Sequence, residues 1–97
     1  MFEACLGAGE EIPKNSNLDN YKTAGIFRVA NATNAASITN SPITNAGYAL
    51  RIRYCQTSGY VRQEAYTGTG PASWYIRHYK GSSAGWTGWY KFTGTAI

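Results

Sequence analysis

Two runs near the end of the chain gather the side chains best suited to recognition chemistry: Trp74-Tyr75-Ile76-Arg77-His78-Tyr79, and, past a glycine-bearing turn, Trp86-Thr87-Gly88-Trp89-Tyr90-Lys91-Phe92. Eleven of the 14 aromatic residues lie from Tyr48 onward, and several alternate with arginine. At the period of two that a strand imposes, Tyr75, Arg77 and Tyr79 share one face, as do Tyr60, Arg62, Glu64 and Tyr66. Sugar rings offer C–H faces that lie against tyrosine or tryptophan, while their hydroxyls bond to Arg, Asn and Glu; each contact is weak and gains from repetition. Tyr60, Arg62, Tyr75, Arg77 and Tyr79 are therefore the candidate contacts for a glycan or other receptor. Arg51 and Arg53 belong either to that binding face or to a subunit interface. Arg77 equally suits a buried strand arginine satisfied by loop carbonyls, and Trp86 and Trp89 suit structural anchors in a chain with few Leu and Val.

Catalysis needs paired groups, and the sequence brings few together. There is one histidine, and Glu64 is the only carboxylate after residue 24. No serine or cysteine stands in a nucleophile-elbow setting. Glycosidase chemistry needs two carboxylates ~5 to 9.5 Å apart, and Glu64 has no evident partner outside the acidic start of the chain. His78 alternates with Ile76 and Trp74 and reads as a packed or hydrogen-bonded strand residue. The glycines at 81, 85 and 88 precede a strand rather than a helix, so phosphate-loop and dinucleotide fingerprints are absent. No enzyme activity, cofactor or metal cluster is expected. Asn31-Ala32-Thr33 matches a glycosylation acceptor, a pattern that arises readily by chance in an Asn- and Thr-rich stretch.

Charge is unevenly distributed. The net charge is +4. Residues 1–24 carry Glu3, Glu10, Glu11 and Asp19 against Lys14 and Lys22, a net of −2. From residue 25 onward Arg28, Arg51, Arg53, Arg62, Arg77, Lys80 and Lys91 oppose Glu64, a net of +6. The basic part is also the aromatic part, which suits an anionic partner such as acidic glycan, teichoic acid or nucleic acid; the same arginines would also keep an aromatic-rich sheet soluble. Charged residues make up only 14% of the chain, below the usual quarter, and a surface rich in Asn, Thr and Tyr favours oligomerisation.

The elements that must position these groups are short strands. At 97 residues the chain supports one domain with a modest core. Asn17 caps a helical turn at residues 18–21. Strands are expected at 25–30, at 48–55 with Tyr48, Leu50, Ile52 and Tyr54 on one face and Arg51 and Arg53 on the other, at 60–67, at 74–80, and at 84–92 with a bend at Gly88. Residues 31–47 form a long surface connection, 57–59 a hairpin turn and 68–71 a loop. The fold class is thus all-β: a small antiparallel meander of about five strands with little helix, near the ~4 to 6 strands usual for a sheet. Its exposed edges call for pairing with other copies. Residues 1–16 form a lead-in that continues from a longer upstream chain, and residues 17–97 form the β-domain. Cys5 and Cys55, widely spaced and without a CxxC or Cys/His cluster, read as free thiols. No stretch approaches the ~20 apolar residues of a membrane span.

The run Asn17-Leu18-Asp19-Asn20-Tyr21-Lys22-Thr23-Ala24-Gly25-Ile26-Phe27-Arg28-Val29 resembles the opening D-L-N-x-x-x-x-x-G-x-Y of the pyocin knob domain, found near the tips of bacteriophage tail fibres and R-type tailocin fibres. Tyr75-Ile76-Arg77-His78-Tyr79 resembles its i-Y-x-R-x-y strand, and Gly85-Trp86-Thr87-Gly88-Trp89 its closing W-x-x-W segment, with Gln63 and Tyr66 between them. The resemblance covers roughly residues 17–93; it departs at Phe27, where tyrosine is usual, and in a longer loop at 68–71. It implies a small β-domain in a homotrimeric fibre of the virion, assembled in the host bacterial cytoplasm, that attaches to host surface polysaccharide without chemical turnover. Three copies would pair the exposed edges and present three equal sites, and an ion on the threefold axis would draw one residue per chain and leave no motif. A structural fibre knob or trimerisation module without receptor binding is the alternative. A single-stranded nucleic-acid-binding domain, which would bind with steep salt dependence, stands well behind both.

Overall fold

Alternating apolar and polar residues give the chain its strands, and the register that pairs them decides which residues face inward. A computed structural model describes residues 9–55, 59–68 and 73–97. The strands are β1 (Glu10–Glu11), β2 (Gly25–Val29), β3 (Tyr48–Tyr54), β4 (Val61–Tyr66), β5 (Ser73–Tyr79) and β6 (Tyr90–Thr93). They form one six-stranded sheet in sequence order. From β2 to β6 every neighbouring pair is antiparallel, as a meander requires. The all-β expectation holds.

Two short helical pieces accompany the sheet. A 3-10 turn spans Leu18–Asn20, and the Asn17 side chain caps it by accepting from Asp19 N–H at 2.9 Å. Helix α1 (Ala32–Ser37) lies in the stretch expected to be a surface connection. That expectation is corrected, since Asn34, Ala35, Ile38 and Ile43 are all buried. Asn31, the glycosylation-pattern residue, is the helix cap: its side chain accepts from Asn34 N–H at 2.9 Å.

Two further expectations change. The supposed lead-in takes part in the domain from residue 9 onward. Glu10 and Glu11 pair in parallel with Phe27 and Arg28, and Ile12 is fully buried. Gly9 makes this approach possible: its φ is +75°, and a Cβ there would stand 2.4 Å from the Ile26 carbonyl oxygen. The last strand is shorter than expected and starts later. Residues 84–89 leave the sheet apart from a bridge between Trp86 and Tyr79, and pairing resumes only at Tyr90.

The register sorts side chains between two faces. Phe27, Val29, Tyr48, Leu50, Ile52, Val61, Gln63, Ala65, Tyr75, Arg77 and Tyr79 share one face, over which pack Ile12, Leu18, Ala35, Ile38, Ile43, Trp86 and Trp89 to form the core. The opposite face is covered by no other described element. Rows of residues cross it from strand to strand. One contains Arg28, Ala49, Tyr66, Trp74 and Phe92, the next Ile26, Arg51, Glu64, Ile76 and Tyr90, and the third Arg53, Arg62 and His78.

Candidate functional site

Tyr75, Arg77 and Tyr79 do share a face of β5, but it is the core face. Arg77 is only 3% exposed, which corrects the expectation that it reaches outward to a receptor. Its guanidinium is engaged within the chain on three sides. Nε donates to Gln63 Oε1 at 2.9 Å, Nη1 donates to Asp19 Oδ1 at 2.9 Å, and Cζ lies 3.9 Å from the Trp86 ring centroid and 5.0 Å from that of Trp89. Burial pulls the guanidinium below its ordinary pKa, and the hydrogen bond and charge of Asp19 oppose that shift. Its Nη2 is buried without a partner among the described residues.

The W-x-x-W segment is thus a lid over a buried cation. Trp86 Nε1 donates to the Asp19 carbonyl at 3.3 Å and Trp89 Nε1 to the Asn40 carbonyl at 2.9 Å, so both indoles cover the guanidinium with their polar edges satisfied. Gln63 completes the arrangement, since its Nε2 donates to the carbonyls of Leu18 at 2.8 Å and Tyr21 at 2.9 Å. Tyr75 and Tyr79 are half-buried against the core. Tyr79 lies 5.2 Å from Trp86 and 4.2 Å from Lys22 Nζ, and Tyr75 lies 5.8 Å from Lys91 Nζ.

The remaining candidates are accessible. Tyr60, Arg51 and Arg53 are exposed and Arg62 is half-buried. The last three share the uncovered face with Glu64, which is itself 2% exposed because its neighbours fold over it. Arg62 Nε donates to Glu64 Oε2 at 2.9 Å, Arg53 Nη1 lies 3.7 Å from the same oxygen, and Tyr66 OH donates to Oε1 at 2.7 Å. Burial raises the pKa of Tyr66, and the bond to Glu64 and its charge add to the shift.

Trp74, Tyr90 and Phe92, which belong to the two aromatic runs but were not among the candidate contacts, lie on the uncovered face. Trp74 is 40% exposed, Phe92 48% and Tyr90 59%. Tyr66 and Trp74 stack with centroids 5.9 Å apart at 24°, and Phe92 follows at 5.7 Å from Trp74. Beside them opens a groove of about 420 Å³ lined by Tyr66, Thr67, Ser73, Trp74 and Gly94. The signal was present as Trp74-x-Ile76, the other parity of β5. Arginine at the centre of the competing parity made the wrong face look like the wet one.

The thiol of Cys55 is free and exposed, and Cys5 lies outside the described residues, as do parts of the 57–59 turn and the 68–71 loop. His78 is half-buried, and its backbone N–H donates to Thr87 Oγ1 at 3.0 Å. Among the described residues no group of three or more His, Cys, Asp or Glu is gathered for a metal ion. No helix among them is long and apolar enough to cross a membrane.

No protein-family model matches the chain, and no curated protein matches it. Among solved structures it is similar to the selenomethionine structure of an N-truncated R2-type pyocin tail fibre, with a TM-score of 0.74 and 27% identity. The match covers 95% of this chain and 35% of that one, so the chain spans about a third of the fibre it resembles. The likeness read from three short motifs therefore extends across the whole fold, and the architecture is that of a tail-fibre domain.

Proposed function

We propose that this tail-fibre domain, as one of three copies in a homotrimer on a virion or tailocin particle, attaches to polysaccharide on the host bacterial surface. The observation that carries this reading is the uncovered sheet face, which exposed Trp74, Tyr90 and Phe92 share with Arg51, Arg53 and Arg62. Flat rings next to fixed hydrogen-bond donors suit sugars, and three weak sites on one axis give useful avidity. Tyr60 and Arg62 remain contacts in this reading, while Arg77 holds the fold together. Binding then needs no chemical turnover. The test is competition: the purified domain at saturating concentration blocks adsorption of the particle that carries it, and failure to block overturns adhesion.

A purely structural knob is the second reading, favoured by the inward turn of Tyr75, Arg77 and Tyr79. It expects a trimer by light scattering that binds no glycan on an array. Large exposed aromatics on one sheet face would then lie between copies.

A further inference from the structure

Arg53 of β3 and Arg62 of β4 stand directly opposite each other, and His78 is the next residue across from Arg62. Like charges facing each other across an antiparallel pair repel. One buried carboxylate serves both: Glu64 Oε2 takes Arg62 Nε at 2.9 Å and the more distant Arg53 Nη1 at 3.7 Å, while its other oxygen accepts from Tyr66. That carboxylate is fully used, whereas each guanidinium keeps further N–H donors in a fork suited to oxyanions. Exposed Arg51, opposite Glu64, adds a third positive charge. Arg51, Arg53 and Arg62 against Glu64 alone leave two uncompensated charges on this part of the face. Next to them opens a cleft of about 240 Å³ lined by Arg53, Tyr54, Cys55 and Arg62.

We infer that this cleft holds the acidic group of a surface glycan, a carboxylate or a phosphate, and that the sugar chain runs along the strands to stack on Trp74 and Tyr66. The inference rests on the adhesion reading and names the class of glycan. Charge selects the occupant. Two copies pressed together through this face would bring like surpluses into a dehydrated contact, whereas an anionic chain neutralises them. Geometry supplies the length: Tyr66 lies four residue steps beyond Arg62, about 13 Å at the ~3.3 Å rise of a strand. A path of that length passes from an anion cleft to an aromatic ledge with its own groove.

The experiment titrates the whole chain at low ionic strength with three probes: a galacturonate oligosaccharide, a glycerol-phosphate oligomer and a neutral dextran oligosaccharide. At least one acidic probe binds and dextran does not. Which acidic probe binds distinguishes carboxylate from phosphate. Arg53→Gln, which removes only the longer contact to Glu64 and keeps the melting temperature near that of the parent, weakens acidic-probe binding at least tenfold. Trp74→Ala weakens it as well. Equal binding of dextran, binding of neither acidic probe, or unchanged affinity in Arg53→Gln overturns the inference. If the domain blocks adsorption while neither acidic probe binds, adhesion stands and the acidic class falls. If an acidic probe binds in an Arg53-dependent way but adsorption is not blocked, the anion site stands and adhesion falls.

Discussion

Arg77 Nη1 donates to Asp19 Oδ1 at 2.9 Å across 58 residues of sequence, tying the centre of β5 to the 3-10 turn that opens the domain. Asp19 is partly exposed and keeps some water, but Arg77 is buried between Gln63 and two indoles. Arg77→Ala leaves Gln63 Oε1 without its donor and removes the cation beneath Trp86 and Trp89. An unsatisfied buried acceptor together with a lost cation–π contact corresponds to about 3 kcal/mol. Urea denaturation followed by tryptophan fluorescence should show that loss. A folded Arg77→Ala variant of parental stability would show that this buried bridge contributes nothing to the fold. Lysine in its place restores little, because an ammonium cannot spread between two rings and hold two acceptors in one plane.

The ends of this bridge explain why β5 misleads as a sequence. Tyr48-x-Leu50-x-Ile52 announces its inner face because Arg51 and Arg53 mark the other, and the structure agrees. In β5 both parities carry aromatics, so the arginine decides the reading, and here the arginine is the buried residue. Its partners come from three separate places in the chain, Asp19, Gln63 and the Trp86–Trp89 segment, and no local pattern connects the three. The motif resemblance did bring these segments together, since D-L-N, R and W-x-x-W are the parts of one buried assembly. Strand β1 was hidden for a different reason: two glutamates show no apolar alternation, and their place in the sheet is set by Gly9 and Ile12 on either side.

Gln63 tests the same assembly from the acceptor side. Its amide donates to two carbonyls and its oxygen accepts from Arg77. Gln63→Glu turns a donor into an acceptor facing the carbonyls of Leu18 and Tyr21. The added attraction to Arg77 does not relieve that repulsion, and the loss should be about 2 kcal/mol by chemical denaturation. A variant more stable than the parent would show that charge pairing with Arg77 outweighs the two amide bonds.

Alkaline pH should weaken the fold through Tyr48. Burial pushes its hydroxyl above the ordinary tyrosine value of about 10, opposed by the 2.6 Å bond with Ser41 and the positive charge of Arg77. The folded chain therefore holds this proton longer than the unfolded chain. The resulting stability is complete below the unfolded pKa and is lost as pH rises through the raised folded value. Tyr66 shifts in the same direction and adds to the slope. Urea midpoints between about pH 8.5 and pH 11.5, a window of about one and a half units on each side of that tyrosine pKa, should fall at the upper end. In Tyr48→Phe the fall is shallower, although the parent level at neutral pH drops by about 1 kcal/mol with the lost hydrogen bond. Parallel curves for the two proteins would remove Tyr48 from the account.

Gly9→Ala probes whether β1 contributes to the fold. A methyl group there meets the Ile26 carbonyl at 2.4 Å, and the φ of +75° is strained for any L side chain. The chain before Ile12 must then lift from β2, exposing part of a fully buried isoleucine. The cost is about 2 kcal/mol, combining backbone strain with lost apolar burial. Hydrogen exchange locates it, since the Ile12 amide that donates to the Arg28 carbonyl at 2.9 Å loses protection while the β3–β4 ladder keeps its own. Uniform loss across the sheet would show that β1 folds only together with the rest.

Glu64→Gln separates the charge of the buried carboxylate from its hydrogen bonds. The amide oxygen still accepts one bond, but Arg53 and Arg62 then face each other with no counter-charge between them. Loss of a charge-assisted bond and exposure of that repulsion should lower stability by about 2 kcal/mol at low salt. Because the arginines are partly exposed, their mutual repulsion is screened, and moderate salt restores part of the loss in the variant. The parent responds less, since Glu64 already neutralises one of the two charges. A multivalent anion such as inorganic triphosphate, filling the cleft between the guanidiniums, should restore more stability than chloride at equal ionic strength. Identical recovery in both salts would mean that only screening acts there, and that the two arginines do not converge on an anion.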